Sequence, residues 1–170
     1  MEKAKKPFLV LGLGNVLLGD DGVGIRVVEA LKERILPRWV EVISGGVAGH
    51  RLMDWLEGVD KAVIVDAARM GKLPGTVMRF KPEETSSPKC RTRPSLHEGD
   101  ILQTLELAKL LGIEAKEVIF YGVQPGQIDP GEGLSPEVQR MVPDLVARVL
   151  EEVAAFGLDA KGKYAEAAAE

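Results

Sequence analysis

Short apolar runs alternate along this chain with stretches of helical spacing, and that alternation restricts the fold more than any other feature. Phe8 to Leu13 is an apolar run closed by Gly12 and Gly14, as expected of a strand buried on both faces. Val40 to Ile43, closed by Gly45 and Gly46, reads as a second strand, and Ala62 to Val65, ending at Asp66, as a third. Thr76 to Phe80 alternates weakly, like an edge strand, and Val118 to Val123 is again apolar. Between them lie helical stripes: Val27, Val28, Leu31 and Ile35; Leu52, Met53 and Leu56; Ile101, Leu102, Leu105 and Ala108 after an Asp100 N-cap. Strands and helices in alternation predict an α/β layer fold.

The last helix starts at Ser135-Pro136-Glu137 and carries Val138, Met141, Val142, Leu145, Val149 and Val153 inward. Pro143 interrupts that stripe, which predicts a kink or two consecutive helices. Pro82 to Pro94 reads as a long loop rich in Pro, Ser, Thr and charge. Residues 1–156 are expected to form one domain. From Gly157 onward the chain has little to bury and is expected to fray.

Charge excludes some partners. Acidic residues outnumber basic ones, 26 to 22, and no basic stripe occurs, so nothing calls for nucleic acid. The apolar runs are too short to span a membrane. Met1 to Lys6 is charged, and the Pro7 and FLVLGLG that follow lack a small-residue cleavage site, which argues against a secretory signal. Cys90 stands alone and cannot form an internal disulfide. A cytoplasmic location is the simplest reading.

Three segments carry candidate chemistry. The first, GLGNVLLGDDGVG from Gly12 to Gly24, is neither a dinucleotide fingerprint, because Leu17 takes the third glycine position, nor a phosphate loop, because Gly-Lys-Ser/Thr is missing. It leaves a strand, a bend, the acidic pair Asp20 and Asp21, and a helix start whose dipole favours negative charge. On this feature alone, simple helix capping serves equally well. The second is VIVDAA, with Asp66 at a strand end, where an acid either serves a site or caps a turn. The third is PSLHEGD, with His97 between the long loop and a helix. In open α/β sheets ligands bind beyond the carboxyl ends of strands, near a reversal of strand order. Two carboxylates and an imidazole converging there would suit a divalent ion such as zinc or nickel, with room for a further ligand.

These residues resemble a known family. GNVLLGDDGVG, GGVAGHRLM, VIVDAA, SLHEGD and YGVQP…GLSPEV follow the order of motifs in the hydrogenase maturation endopeptidases, and the resemblance covers roughly Phe8 to Val153. It implies a three-layer fold, a twisted, mostly parallel sheet flanked by helices on both faces. It also implies a peptidase that clips the carboxy-terminal extension of a nickel–iron hydrogenase large-subunit precursor once nickel is seated. Carried over by position, the metal-sensing and catalytic residues fall on Asp21, Asp66 and His97, and substrate-binding positions on Asn15, Gly45 and Gly46. Nickel belongs to the substrate, and zinc or cadmium would suit the same ligands. A monomer is expected. Two positions depart from the family: Ser44 stands where Asp is common, and Val47 where Thr is usual.

The group that activates the attacking water stays open, between a metal-bound hydroxide and a carboxylate base. A non-cleaving nickel-binding chaperone or adaptor for the same precursor is the alternative from another class. A thiol protease built on Cys90, beside Lys89, Arg91 and Arg93, would have to bring Cys90 to His97. No G-x-S-x-G elbow occurs, and His50 reads as a helix-surface residue. A flavodoxin-like small-molecule binder is disfavoured because no phosphate cradle is found.

Overall fold

The computed structural model describes residues 6–47, 51–85, 95–96 and 100–159. His50, Cys90 and His97 lie outside them, as does the tail from residue 160. The interior strand β1 (Phe8–Leu13) is buried along its whole length. It pairs in parallel with β2 (Val40–Gly46) on one side and β3 (Lys61–Arg69) on the other. β3 in turn pairs in parallel with β6 (Glu117–Val123), and β4 (Val77–Phe80) closes that edge antiparallel to β6. The order is β2-β1-β3-β6-β4. A two-residue strand, β5 (Ser95–Leu96), pairs antiparallel with the end of β3.

Alternation along β1 divides the core. Phe8 and Val10 face α1 (Val23–Lys32), α5 (Pro136–Gln139) and α6 (Val142–Asp159). Leu9, Leu11 and Leu13 face α2 (Arg51–Leu56) and α4 (Asp100–Leu111). Helices thus cover both faces of the sheet, giving the expected three layers. Both sides of β1 and β3 being apolar is what makes their sequences read as unbroken runs.

Two expectations need correction. Ile35 is fully exposed and is not part of the α1 stripe, because α1 ends at Lys32 and the Arg34 amide closes a turn onto the Leu31 carbonyl. Leu36 packs against the core instead. The stretch read as loop from Pro82 opens with a one-turn helix, α3 (Pro82–Thr85). At Pro143 the chain does form two consecutive helices, α5 and α6, with the break at Arg140 and Met141. α6 runs on past Gly157 to Asp159.

From β1 the chain crosses by α1 to β2, then returns by α2 across β1 to β3. The direction of winding therefore reverses between β1 and β3, where open α/β sheets form a crevice at the carboxyl ends of the strands.

Candidate active site

The rim at that reversal is assembled where side chains are missing. A methyl group on Gly24 would stand 2.2 Å from the Val65 carbonyl oxygen and 2.4 Å from that of Leu13. Only glycine lets the first turn of α1 settle directly onto the ends of β1 and β3. Gly14 has φ +118° and its missing Cβ would lie 1.8 Å from the Asp21 carbonyl oxygen, so the bend after β1 folds tightly over the turn Gly19–Gly22.

That 3-10 turn carries the acidic pair, and its two side chains part. Asp21 is buried, and its Oδ2 accepts the Asn15 backbone amide at 2.8 Å. Asp20, also buried, accepts from the amides of Gly126 (2.8 Å), Gln127 (3.0 Å) and Ser135 (2.6 Å) and from the Ser135 hydroxyl (2.8 Å). Burial pushes the Asp20 carboxyl up, but those hydrogen bonds, led by Ser135, outweigh it and hold the group below its ordinary 3.8. Neither aspartate caps α1: its N-cap is Gly22, with no side-chain cap bond. The capping alternative therefore fails for both.

Asp66 lies near the end of β3, fully buried, with Oδ1 accepting the Ala67 amide at 2.8 Å. The fold thus brings Asp21 and Asp66 to the same rim, one after β1 and one on its neighbour β3. Both are buried at that rim. His97 lies outside the described residues. Leu96, the residue before it, pairs with Ala68, two positions beyond Asp66 on β3.

Asn15 and the glycines of β2 border this rim. Asn15 Oδ1 accepts the Leu17 amide at 3.0 Å, an Asx-type turn that shapes the bend. The Gly46 carbonyl accepts the Gly14 amide at 3.0 Å and ties the ends of β1 and β2 together. A side chain at Gly45 would collide with Leu11 and Leu13, both 2.8 Å away. Ser44 is exposed, and its hydroxyl accepts from Lys32 Nζ at 3.1 Å.

Among the described residues, no group of three or more His, Cys, Asp or Glu is arranged to hold a metal ion. Asp21 and Asp66 supply oxygen donors of the kind a borderline divalent ion accepts, and a third ligand must come from beyond them. A cavity of about 400 Å³ lies between α3, α4 and the start of β6, lined by Leu102, Leu105, Lys116 and Val118. It is at the opposite end of the strands from the aspartates and shares none of their residues. What sequence reasoning missed is the loop after β6, which enters the rim through Asp20. Its signals were the motif ends YGVQP and GLSPEV and the Gly- and Pro-rich stretch from Pro125 to Pro136 that they enclose.

Fold and rim together define an α/β protein with buried carboxylates at a topological switch point. A family model described as hydrogenase maturation protease matches residues 25–152. The chain is 36% identical over 154 residues to the hydrogenase 2 maturation protease of Escherichia coli (strain K12), covering 89% of this chain and 93% of that protein. It is 35% identical over 155 residues to the hydrogenase expression/formation protein HupD of Thiocapsa roseopersicina, covering 90% of this chain and 70% of that protein. Among solved structures, the hydrogenase maturating endopeptidase HybD from E. coli superposes with a TM-score of 0.77 at 33% identity, covering 88% and 93% of the two chains. The chain belongs to the hydrogenase maturation protease family and is a peptidase.

Proposed function

We propose that this peptidase removes the carboxy-terminal extension of a nickel–iron hydrogenase large-subunit precursor after nickel insertion, and that Asp21, Asp66 and His97 read the nickel held by that precursor. The observation that carries this reading is the pair of buried carboxylates at the switch point, Asp21 in the turn after β1 and Asp66 on the neighbouring strand β3. The pairing of Leu96 with Ala68 supports His97 as the third member. Carboxylate and imidazole suit nickel, and equally the zinc or cadmium that would substitute for it.

In this scheme the ion is part of the substrate. A loaded precursor offers the aspartates a cation to complete, whereas a nickel-free one leaves two buried acids facing a partner without charge to match. Discrimination therefore comes from the enzyme's own carboxylates. Hydrolysis also needs an acceptor for the proton of the attacking water. Asp21, Asp66 and His97 are the candidate acceptors, while Asp20 is held by four hydrogen bonds to the loop after β6. Asn15, Gly45 and Gly46 border the same rim and serve to seat the extension. No helix among the described residues is long and apolar enough to cross a membrane.

The test incubates purified chain with precursor prepared with and without nickel and follows mass by spectrometry. The nickel-loaded precursor should be shortened and the nickel-free one left intact. Asp21→Asn, Asp66→Asn and His97→Ala should each lower the cleavage rate by about a hundredfold or more. Cleavage of the nickel-free precursor at the same rate would overturn nickel reading. A stable complex with no shortening would establish the adaptor role instead.

A further inference from the structure

Asp20 is adjacent to Asp21 but faces the other way, into the loop between β6 and α5. Apolar packing holds its ends, with Pro125 buried and Leu134 against the core, but the middle has little else to hold it. Gly126, Gln127 and residues 129–133 are exposed, and Ile128 is only half-buried, so no fully buried apolar side chain anchors residues 126–133. Its position rests on polar contacts to the turn that carries Asp21. The Asp20 amide donates to the Gln127 carbonyl (2.9 Å), the Gly19 amide to Gly131 (3.0 Å) and the Gly131 amide to Leu17 (2.9 Å). The Asp20 carboxylate adds four acceptor bonds, one of them at 2.6 Å. An open cavity of about 300 Å³ remains between loop and turn, so packing does not substitute for these bonds.

Only a carboxylate satisfies this arrangement. Three backbone amides and a hydroxyl converge on its two oxygens, and an Asn side chain would turn an NH₂ toward some of those donors. The same turn presents Asp21 to the Asn15 amide, so the loop and the Asp21 carboxylate are held by one short segment.

We infer that Asp20 is a positioning residue: by latching the 126–135 loop to the 15–20 turn it fixes the Asp21 carboxylate for catalysis. This rests on the reading of Asp21 as a site residue given above. Asp20 does not touch the substrate. Its effect travels through the turn, and the Asn15 amide, bonded to Asp21 Oδ2, reports it.

The experiment combines cleavage kinetics on nickel-loaded precursor with amide NMR of the full chain. Asp20→Asn should lower kcat by about tenfold or more while KM stays within about threefold, the pattern of a displaced catalytic group in a folded enzyme. The Asn15 amide should shift, and its hydrogen exchange should quicken by about tenfold, as expected when a local hydrogen bond weakens. Ser135→Ala removes the hydroxyl donor alone and should move both readouts the same way by a smaller factor, which decides the matter if Asp20→Asn does not fold. A folded Asp20→Asn enzyme with kcat within about twofold of wild type would overturn the inference, because displaced catalytic groups cost more. So would a loss of kcat with the Asn15 amide unchanged. Asp21→Asn, run alongside, separates the two claims. Normal cleavage by that variant sinks the role given to Asp21, whereas an inactive Asp21→Asn with a full-rate Asp20→Asn sinks only the latch.

Discussion

At the scale of single residues, the rim depends on two glycines whose absent side chains let backbone meet backbone. Gly24→Ala would place a methyl within 2.4 Å of two carbonyl oxygens on different strands. Neither oxygen can retreat without breaking sheet register, so the variant should lose about 2–3 kcal/mol or more, the upper range for overpacking. Denaturant unfolding checks this, and a loss under about 0.5 kcal/mol, the usual bound for neutral surface changes, would mean that α1 stands off the strands. The acidic pair teaches a related lesson. Its position after a strand was legible in the sequence, but the divergence of the two side chains was not, because Asp20 meets partners more than a hundred residues away. Distant hydrogen bonds leave no local pattern. Ser44 is a further case: where Asp is common in the family, the shorter Ser receives a hydrogen bond from Lys32, and a Ser44→Asp chain would gain an exposed ion pair there. Such a pair is worth at most about 1 kcal/mol, so its effect should be read in cleavage of the precursor and not in stability.

Among the elements, α6 is tied to the sheet by charge as well as by its apolar stripe. Glu152 is buried and accepts from Lys61 Nζ (2.8 Å), Arg79 Nε (2.7 Å) and the Tyr121 hydroxyl (3.0 Å). Burial pushes its carboxyl up, but the bonds from Arg79, Lys61 and Tyr121 prevail and bring it down to about 2, from 4.5. Tyr121 is pushed up to about 12, by burial first and then by Glu152, and so remains a donor. A carboxyl depressed on folding contributes stability in full above its unfolded value, and that contribution drains away as pH falls from about 4.5 toward 2. The contribution is up to about 3 kcal/mol. The melting-temperature gap between wild type and Glu152→Gln should therefore be wide at neutral pH and shrink in acid; a gap independent of pH would contradict the network.

The same helix shows where sequence patterning stops. Its apolar stripe and the break just before Pro143 were readable because period and proline are local signals. The packing of Phe156 against Phe8, with ring centroids 5.2 Å apart, was not, nor the seat of Gly157 beside Trp39. Phe156→Ala should cost about 1–3 kcal/mol, less than a fully buried Phe because the ring is only half-covered. Ile35 failed in the opposite sense, since helical spacing continued for one residue type beyond the point where the backbone had turned away.

For the molecule as a whole, layer architecture follows from apolar runs buried on both faces, and strand order follows from the crossovers between them. The sequence supports the first of these directly and the second only through family resemblance, because periodicity does not say which strands are neighbours. That order is what puts the ends of β1 and β3 side by side, and with them Asp21 and Asp66, 45 positions apart in the chain. We propose that His97 joins them around one cation. A crystal of the free enzyme soaked in cadmium, read by anomalous scattering, measures this directly. The expected result is one strong peak within about 2.0–2.6 Å of a carboxylate oxygen from Asp21, one from Asp66 and a ring nitrogen of His97. The claim fails if the His97 ring occupies a different surface from the two aspartates, with the ion bound elsewhere or by them alone.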